Sequence, residues 1–147
     1  VFVTNPTARV DIRIERWDLS VDLLCYEQGL LNSHIADYLN ANALNRVITV
    51  CDSAEQKSIV ELQQKRIKAI PCVKGRGSVA AGIAQVKQFK LHVTKRSVKL
   101  LDELDNYKWI KDEVSDTYTN EAIDAWNHAL DALRYGVDFL IRKYRPK

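Results

Sequence analysis

The chain has 147 residues, of which 46% are hydrophobic and 28% charged, a composition typical of one globular domain of ordinary size. No apolar run is long enough to span a bilayer, so a transmembrane helix is excluded and no membrane partner is expected. The net charge of +3 is unremarkable. The three cysteines lack paired or metal-ligand spacing, so no disulfide framework is expected and we expect reduced thiols in an intracellular protein.

Two antiparallel strands are predicted at the start of the chain. Residues 8–16 alternate aliphatic and charged side chains, the period of a half-buried strand, and a second strand follows over residues 19–26 after a turn at 16–18. The chain begins Val-Phe-Val and contains no Met, which suggests that it is a piece of a longer protein. A short helix capped by Asn32 or Ser33 should then turn three apolar residues inward: Ile35, Ala36 and Leu39.

Asp52 follows a predicted central strand. Residues 46–51 form a run rich in β-branched side chains, as expected of a strand covered on both faces. Ser53 and Gln56 make a capping-box pattern, which predicts a helix from residue 53 to about residue 66. Open α/β sheets bind their ligands at the carboxyl ends of strands, so Asp52 is a candidate site residue; alternatively, it only helps to cap the helix.

A basic, glycine-containing loop occupies residues 74–78, between a strand at 68–73 and a helix at 79–87. Pro71 places that strand at an edge of the sheet. The loop reads Lys-Gly-Arg-Gly-Ser. Its exposed backbone amides and two cations could bind a phosphate, although the sequence does not match a Walker motif. An ordinary strand-to-helix turn remains the alternative.

The next predicted elements are a strand at residues 89–93 and a helix at 97–104 that is capped by Ser97. The inward face of this helix is expected to carry three apolar residues: Val98, Leu101 and Leu104. Residues 105–120 are irregular, with three possible hairpin residues: Tyr107, Trp109 and Tyr118.

Charge is unevenly distributed, because residues 62–101 contain ten Lys or Arg residues and no Asp or Glu. This block favours either a surface that holds a polyanion near a cation site or a solvated basic face without a partner. The ten residues are Lys65, Arg66, Lys68, Lys74, Arg76, Lys87, Lys90, Lys95, Arg96 and Lys99.

His128 and Asp131 lie on the last predicted helix, at about residues 121–143. With a spacing of i,i+3, their Cβ atoms are roughly 5–6 Å apart on one helix face, so the two side chains can reach one metal ion or one water. The alternative is that both face solvent. Apolar residues recur beside them at three-to-four spacing and predict the buried face: Ile123, Trp126, Leu130, Leu133, Val137, Leu140, Ile141 and Tyr144.

These elements predict an α/β domain with a mixed sheet flanked by helices. The last helix can pack across the sheet and bring His128 and Asp131 to Asp52. Two carboxylates and an imidazole from distant parts of the chain would then form a site for one or two hard divalent ions.

Four blocks resemble, in the same order, the C-terminal nuclease domain of the large terminase subunit of tailed bacteriophages, a ribonuclease H-like family. Residues 5–8 are similar to the family's Asp-Pro-Thr-Ala, and residues 51–59 to its Ala-Asp-Ser-Ala-Glu-Pro-Lys-Ser-Ile. The third block is Lys-Gly-x-Gly-Ser-Val at 74–79 with Gly82-Ile83, and the fourth runs from Asn120 to Tyr135. Together they cover nearly the whole chain.

The resemblance implies a metal-dependent endonuclease, with a ribonuclease H-like fold over residues 1–147, that cuts concatemeric double-stranded DNA during packaging. Cleavage would use two Mg²⁺ or Mn²⁺ ions in the cytoplasm of a bacterial host. In the full protein the implied partners are an ATPase domain, the small terminase subunit and the portal or procapsid. The ATPase half lies outside this chain.

The resemblance also implies roles for individual residues. Asp52 becomes the second acidic ligand, Asp131 the late acidic ligand, and His128 a ligand or proton shuttle, whereas Asp124 is either a further ligand or a helix cap. Contacts with the DNA backbone, which position a duplex without reading its sequence, fall to five basic residues: Lys74, Arg76, Lys87, Lys95 and Arg96.

The chain departs from the family pattern at its start. The family's first catalytic Asp lies a few residues before the Asp-Pro-Thr-Ala block and falls outside this sequence, and Asn5 replaces the acid of the block itself. We therefore expect a missing or truncated first strand and weak or no cleavage. Two alternatives stay open: another ribonuclease H-like nuclease, such as a resolvase or transposase, and a catalytically incomplete DNA-binding or motor-docking module.

Overall fold

The computed structural model describes residues 1–5, 7–27, 31–75, 78–106, 109–112, 117–122 and 127–144. One sheet contains β1 (Phe2–Thr4), β2 (Ala8–Glu15), β3 (Asp18–Tyr26), β4 (Thr49–Cys51), β5 (Ala69–Pro71) and β6 (Lys90–Val93). A separate hairpin pairs β7 (Trp109–Asp112) with β8 (Thr117–Ala122). The helices are α1 (Asn32–Ala41), α2 (Gln56–Gln64), α3 (Ser78–Val86), α4 (Val98–Asn106) and α5 (His128–Tyr144).

The sheet is mixed, with the strand order β5-β4-β1-β2-β3-β6. Strand β1 runs antiparallel to β2 and parallel to β4, so it lies near the centre. Its last residue, Thr4, is opposite Cys51. The mixed α/β sheet is confirmed, and the first strand, which the sequence led us to expect as missing or truncated, is present with three residues.

Helices cover both faces of the sheet. Because successive strand residues point to opposite faces, Val3 packs in a core with Leu133 and Val137 of α5, whereas Phe2 packs in a second core with Leu39 of α1. The α5 core also contains Leu100 of α4, and the second core contains Ile59 and Leu62 of α2. Val50 and Cys51 belong to opposite cores, so β4 is covered on both faces as predicted.

Most predicted elements are observed, including the opening antiparallel pair, the edge position of Pro71 and the inward face of α1. The hairpin contains Trp109 and Tyr118 as expected, whereas Tyr107 lies outside the described residues. None of the described helices is long and apolar enough to cross a membrane.

Several details of the sequence prediction were wrong. Helix α2 begins at Gln56 rather than at residue 53, and no side chain caps it; α1 likewise has no side-chain cap. Helix α5 begins at His128 rather than near residue 121, because residues 117–122 pair with β7 instead. In α4 the buried residues are Leu100 and Glu103, whereas Val98 and Leu101 are exposed. Tyr144, predicted on the buried face of α5, is 67% exposed.

Candidate active site

Asp52 is fixed at the carboxyl end of β4. Its backbone N–H donates to the carbonyl of Thr4 on β1 at 3.1 Å, and its Oδ1 accepts a hydrogen bond from the N–H of Ala54 at 3.0 Å. The Asp52 side chain is 17% exposed, so its carboxylate is accessible to solvent at the end of β4. Asp52 therefore caps the turn before α2 and also lies where ligands bind in α/β sheets.

Lys74 binds Asp52 directly. Its ammonium donates to Oδ1 of Asp52 at 2.5 Å and lies 5.2 Å from the ring centroid of Tyr135 on α5. Burial opposes the charge of Lys74, but hydrogen bonds to Asp52 and Tyr135 outweigh it and raise the pKa of the ammonium. The cation thus connects the end of β4 with α5.

Asp131 lies one helical turn before Tyr135 on α5. Burial raises the pKa of the Tyr135 phenol, and the negative charges of Asp131 and Asp52 raise it further. The charges of both carboxylates therefore act on the Tyr135 phenol. Asp131 also accepts a hydrogen bond from Arg134. The Arg134 side chain is buried, and its Cβ, Cγ and Cδ atoms lie close to Gly82 of α3.

His128 is exposed at the start of α5, and its imidazole lies beside Tyr26 of β3. The two rings meet edge to face with centroids 6.1 Å apart. The Asn5 amide nitrogen donates to the carbonyl of His128 at 2.5 Å, while Asn5 Oδ1 accepts hydrogen bonds from Thr7 N and Ala8 N. Asn5 thus joins the turn after β1 to the first residue of α5.

A buried glutamate on α4 holds the first turn of α5. Glu103 is 1% exposed, and its two carboxylate oxygens accept hydrogen bonds from Ala129 N at 3.1 Å and Leu130 N at 2.9 Å. This arrangement satisfies amides that an N-terminal helix turn leaves unpaired. Burial and a hydrogen bond to Glu103 raise the pKa of the Tyr26 phenol, so Tyr26 contacts both this carboxylate and His128.

The other predicted DNA-binding residues are not gathered at Asp52. Lys87 follows the last residue of α3, about 13 Å along the helix axis from its start at Ser78. Lys95 and Arg96 lie between β6 and α4, and Arg96 pairs with Asp22 of β3 through a bond of 2.8 Å from its Nε. Arg76 lies outside the described residues, as does the further ligand candidate Asp124.

The donor chemistry suits a hard divalent cation only in part. Asp52 and Asp131 offer carboxylate oxygens, the ligands that Mg²⁺ prefers, and Asp52 already binds one cation, the Lys74 ammonium. Within the described part of the chain, however, no three His, Cys, Asp or Glu side chains are grouped closely enough to hold an ion. Strand β1, beside Asp52, carries no acid, and Asn5 follows it.

Sequence reasoning missed Glu103 and gave no role to Tyr135. Glutamate is rarely buried, so a helix pattern that includes Leu100, Leu101 and Leu104 does not reveal that Glu103 faces inward. Tyr135 belongs to the last motif block, and its position one turn after Asp131 was the available signal.

Comparison with known proteins gives consistent matches. Residues 2–138 match the family model described as Terminase RNAseH like domain. The nuclease domain of g2p (large terminase) from bacteriophage SPP1, with bound Mn, is similar with a TM-score of 0.79 and 18% identity, over 94% of this chain and 83% of that one. The large terminase of a thermophilic bacteriophage has a TM-score of 0.69 and 17% identity, over 95% of this chain.

At these identities the solved structures show a shared fold. The chain spans only 38% of the large terminase from the thermophilic bacteriophage. Comparison with curated proteins gave no significant match.

Proposed function

The chain belongs to the family of terminase RNase H-like domains, and from this membership we propose that it is the metal-dependent endonuclease of a phage DNA-packaging terminase. Its substrate is concatemeric double-stranded DNA. Residues 1–147 act as one nuclease domain within a large subunit that works with an ATPase domain, a small subunit and a portal in the host cytoplasm.

The observation that carries the proposal is the ion pair of Asp52, at the end of β4, with Lys74. The ammonium of Lys74 lies 5.2 Å from the ring of Tyr135, which follows Asp131 by one turn of α5. We propose Asp52 and Asp131 as the ligands that would hold Mg²⁺ or Mn²⁺, with His128 as a further ligand or proton shuttle. The bound ion would supply charge neutralisation at the phosphodiester and an activated water.

The chain's own residues orient the substrate. Lys74 and the basic residues after β5 and β6, including Lys95, meet the phosphate backbone without reading sequence. Glu103 and Asn5 hold the start of α5, the helix that carries Asp131. The SPP1 nuclease domain was solved with bound Mn, which supports the choice of a divalent ion.

A second function is favoured by one observation: β1 contributes no acid beside Asp52. With two carboxylates instead of three, the chain would bind DNA and dock to the motor without cutting. Both functions predict DNA affinity that falls steeply with salt, because the contacts are with phosphates. Only the endonuclease predicts metal-dependent cleavage of DNA.

Thermal unfolding with and without Mn²⁺ tests the proposal. A ligand at about 100 times its Kd stabilises a protein by about 2.7 kcal/mol, which corresponds to a rise in Tm of about 5–10 °C for a domain of this size. We expect this rise in the wild type and in Asp37→Asn, an exposed control on α1, and its loss in Asp52→Asn and Asp131→Asn.

Plasmid nicking separates the two functions. Mn²⁺-dependent nicking by the wild type that Asp131→Asn abolishes supports the endonuclease. Mn²⁺ stabilisation that persists in both site variants would contradict the assignment of the metal ligands. Salt-sensitive DNA binding without nicking or metal stabilisation would favour the incomplete module.

A further inference from the structure

We propose that Arg9 binds an oxyanion on the face of the sheet opposite α5, through the Nε–H and Nη2–H groups of its guanidinium. The ligand is a phosphate or carboxylate group, in which two oxygens share the negative charge. The inference goes beyond the proposed function, because the site lies on the other face of the sheet from α5, and either proposal can fail without the other.

The register of the sheet places Arg9 on that face. Arg9 of β2 is directly opposite Thr4 of β1 and Cys25 of β3. Thr4 lies two residues after Phe2, and alternate residues of a strand share a face, so Arg9 lies on the same face as Phe2. Phe2 packs in the core that contains residues of α1, whereas α5 covers the other face.

Arg9 is a buried cation whose hydrogen-bonding edge has no acceptor in the described chain. The residue is 5% exposed, and its Nε and Nη2 atoms donate no hydrogen bond to any residue that the structure describes. Buried charges are rarely left unpaired, because burial without a partner is strongly destabilising. An apolar residue would make this position more stable, so the presence of an arginine points to a ligand.

The two unpaired nitrogens have the geometry that binds two oxygens of one oxyanion. A guanidinium is planar, and its rigid N–H groups match the oxygens of a carboxylate or phosphate in pairs. Arg96 uses the same two atoms in this protein: its Nε donates to Oδ1 of Asp22 at 2.8 Å, and its Nη2 donates to Oδ2. An oxyanion bound to Arg9 would therefore occupy the position that the Asp22 carboxylate occupies on Arg96.

The surroundings of Arg9 reach the surface at Tyr38 of α1. Burial lowers the pKa of Arg9, and the charged forms of Cys25 and Tyr38 oppose this effect, so both side chains lie near the guanidinium. Tyr38 is 40% exposed, so an anion from solvent can approach Arg9 beside its ring. A hydrogen bond to Asp22 raises the pKa of the exposed Arg96, and Tyr38 adds to this shift. Since Arg96 is paired with Asp22, Arg9 is the one of these two guanidiniums with donors for a new anion.

The experiment compares thermal unfolding in sodium phosphate, sodium acetate and sodium chloride at equal ionic strength. It uses the wild type, Arg9→Met and the control Arg13→Met, which removes the same charge from an exposed position of β2. An oxyanion at about ten times its Kd should raise the Tm of the wild type and of Arg13→Met by about 3–5 °C above the value in chloride. Arg9→Met should have a higher Tm than the wild type in chloride, because a buried unpaired charge is removed, and should gain nothing from either oxyanion.

The two oxyanions distinguish the sources of the ligand. A rise in Tm in phosphate alone indicates a phosphate site, a rise in acetate alone indicates a carboxylate site, and equal rises mean that a charged pair of oxygens is sufficient. In the wild type, the Nε–H resonance of Arg9 in a ¹⁵N-labelled sample should shift as the bound oxyanion is titrated.

Three outcomes would overturn the inference. The wild type may gain no more from phosphate or acetate than from chloride, Arg9→Met may keep the gain, or the Nε–H resonance of Arg9 may stay unchanged during the titration. In each case the guanidinium is only a buried part of the fold. Should Arg9→Met not fold, Arg9→Lys keeps the charge without the paired N–H groups, and it should lose most of the oxyanion effect.

Discussion

Helix α5 starts against the buried carboxylate of Glu103, and substitution of this residue by alanine should destabilise the fold substantially. Two N–H groups of the first turn, from Ala129 and Leu130, would lose their acceptors in a buried position. Hydrogen bonds to a charged group contribute about 1.5–3 kcal/mol each. The desolvation cost of burying the carboxylate offsets part of the sum, so we expect a loss of about 3 kcal/mol, or about 6–12 °C in Tm.

Differential scanning calorimetry of Glu103→Ala measures this loss, with Asp102→Ala as the matched control. Asp102 precedes Glu103 in α4, and its side chain is exposed. Glu103→Gln keeps the shape and one acceptor oxygen, so its Tm should fall between those of the other two variants. Amide hydrogen exchange at residues 129–131 should quicken in Glu103→Ala. A Tm change no larger than that of Asp102→Ala, with unchanged exchange, would refute the reasoning.

Two further predictions concern packing and charge. Gly136→Ala should lower stability by about 1–3 kcal/mol in urea unfolding, because the added Cβ would lie 2.5 Å from Ile12 Cδ1. Gly75→Ala should be nearly neutral, because no described residue other than its chain neighbours lies within 4 Å of the added Cβ. Equal effects of the two substitutions would contradict this packing. A hydrogen bond from Arg96 lowers the pKa of Asp22, so the pair stabilises the fold above the unfolded carboxyl pKa and loses that contribution as pH falls through the folded value. Arg96→Ala should raise this pKa in a carboxyl NMR titration; an unchanged pKa would exclude the pairing.

The sheet could be predicted from the sequence because strands leave a local signal. Alternation in residues 8–16 and the β-branched run before Asp52 depend only on which faces are buried, and both are observed. The start of α5 could not be predicted in the same way. Residues 117–122 pair with β7, and that pairing depends on contacts that helical periodicity does not encode.

The sequence names the candidate acids but does not reveal their contacts. Asp52 stands at a strand end and Asp131 in a motif block, so both could be named from sequence. The bond between Lys74 and Asp52 joins residues 22 positions apart, and a lysine in a basic loop predicts a solvent or phosphate contact instead. The predicted inward face of α4 was wrong because Glu103, a charged residue, is buried there.

The position of Asp131 relative to Asp52 is set by contacts outside the two carboxylates. A shift of α5 by one residue would move Asp131 about 1.5 Å along the axis and turn it about 100° around the helix. Asn5 and Glu103 hold the first turn through hydrogen bonds, and Gly136 lets the middle of the helix pack directly on the sheet. Contacts at two levels of one helix prevent both the shift and the rotation. The proposed metal chemistry therefore depends on residues that would never touch the ion.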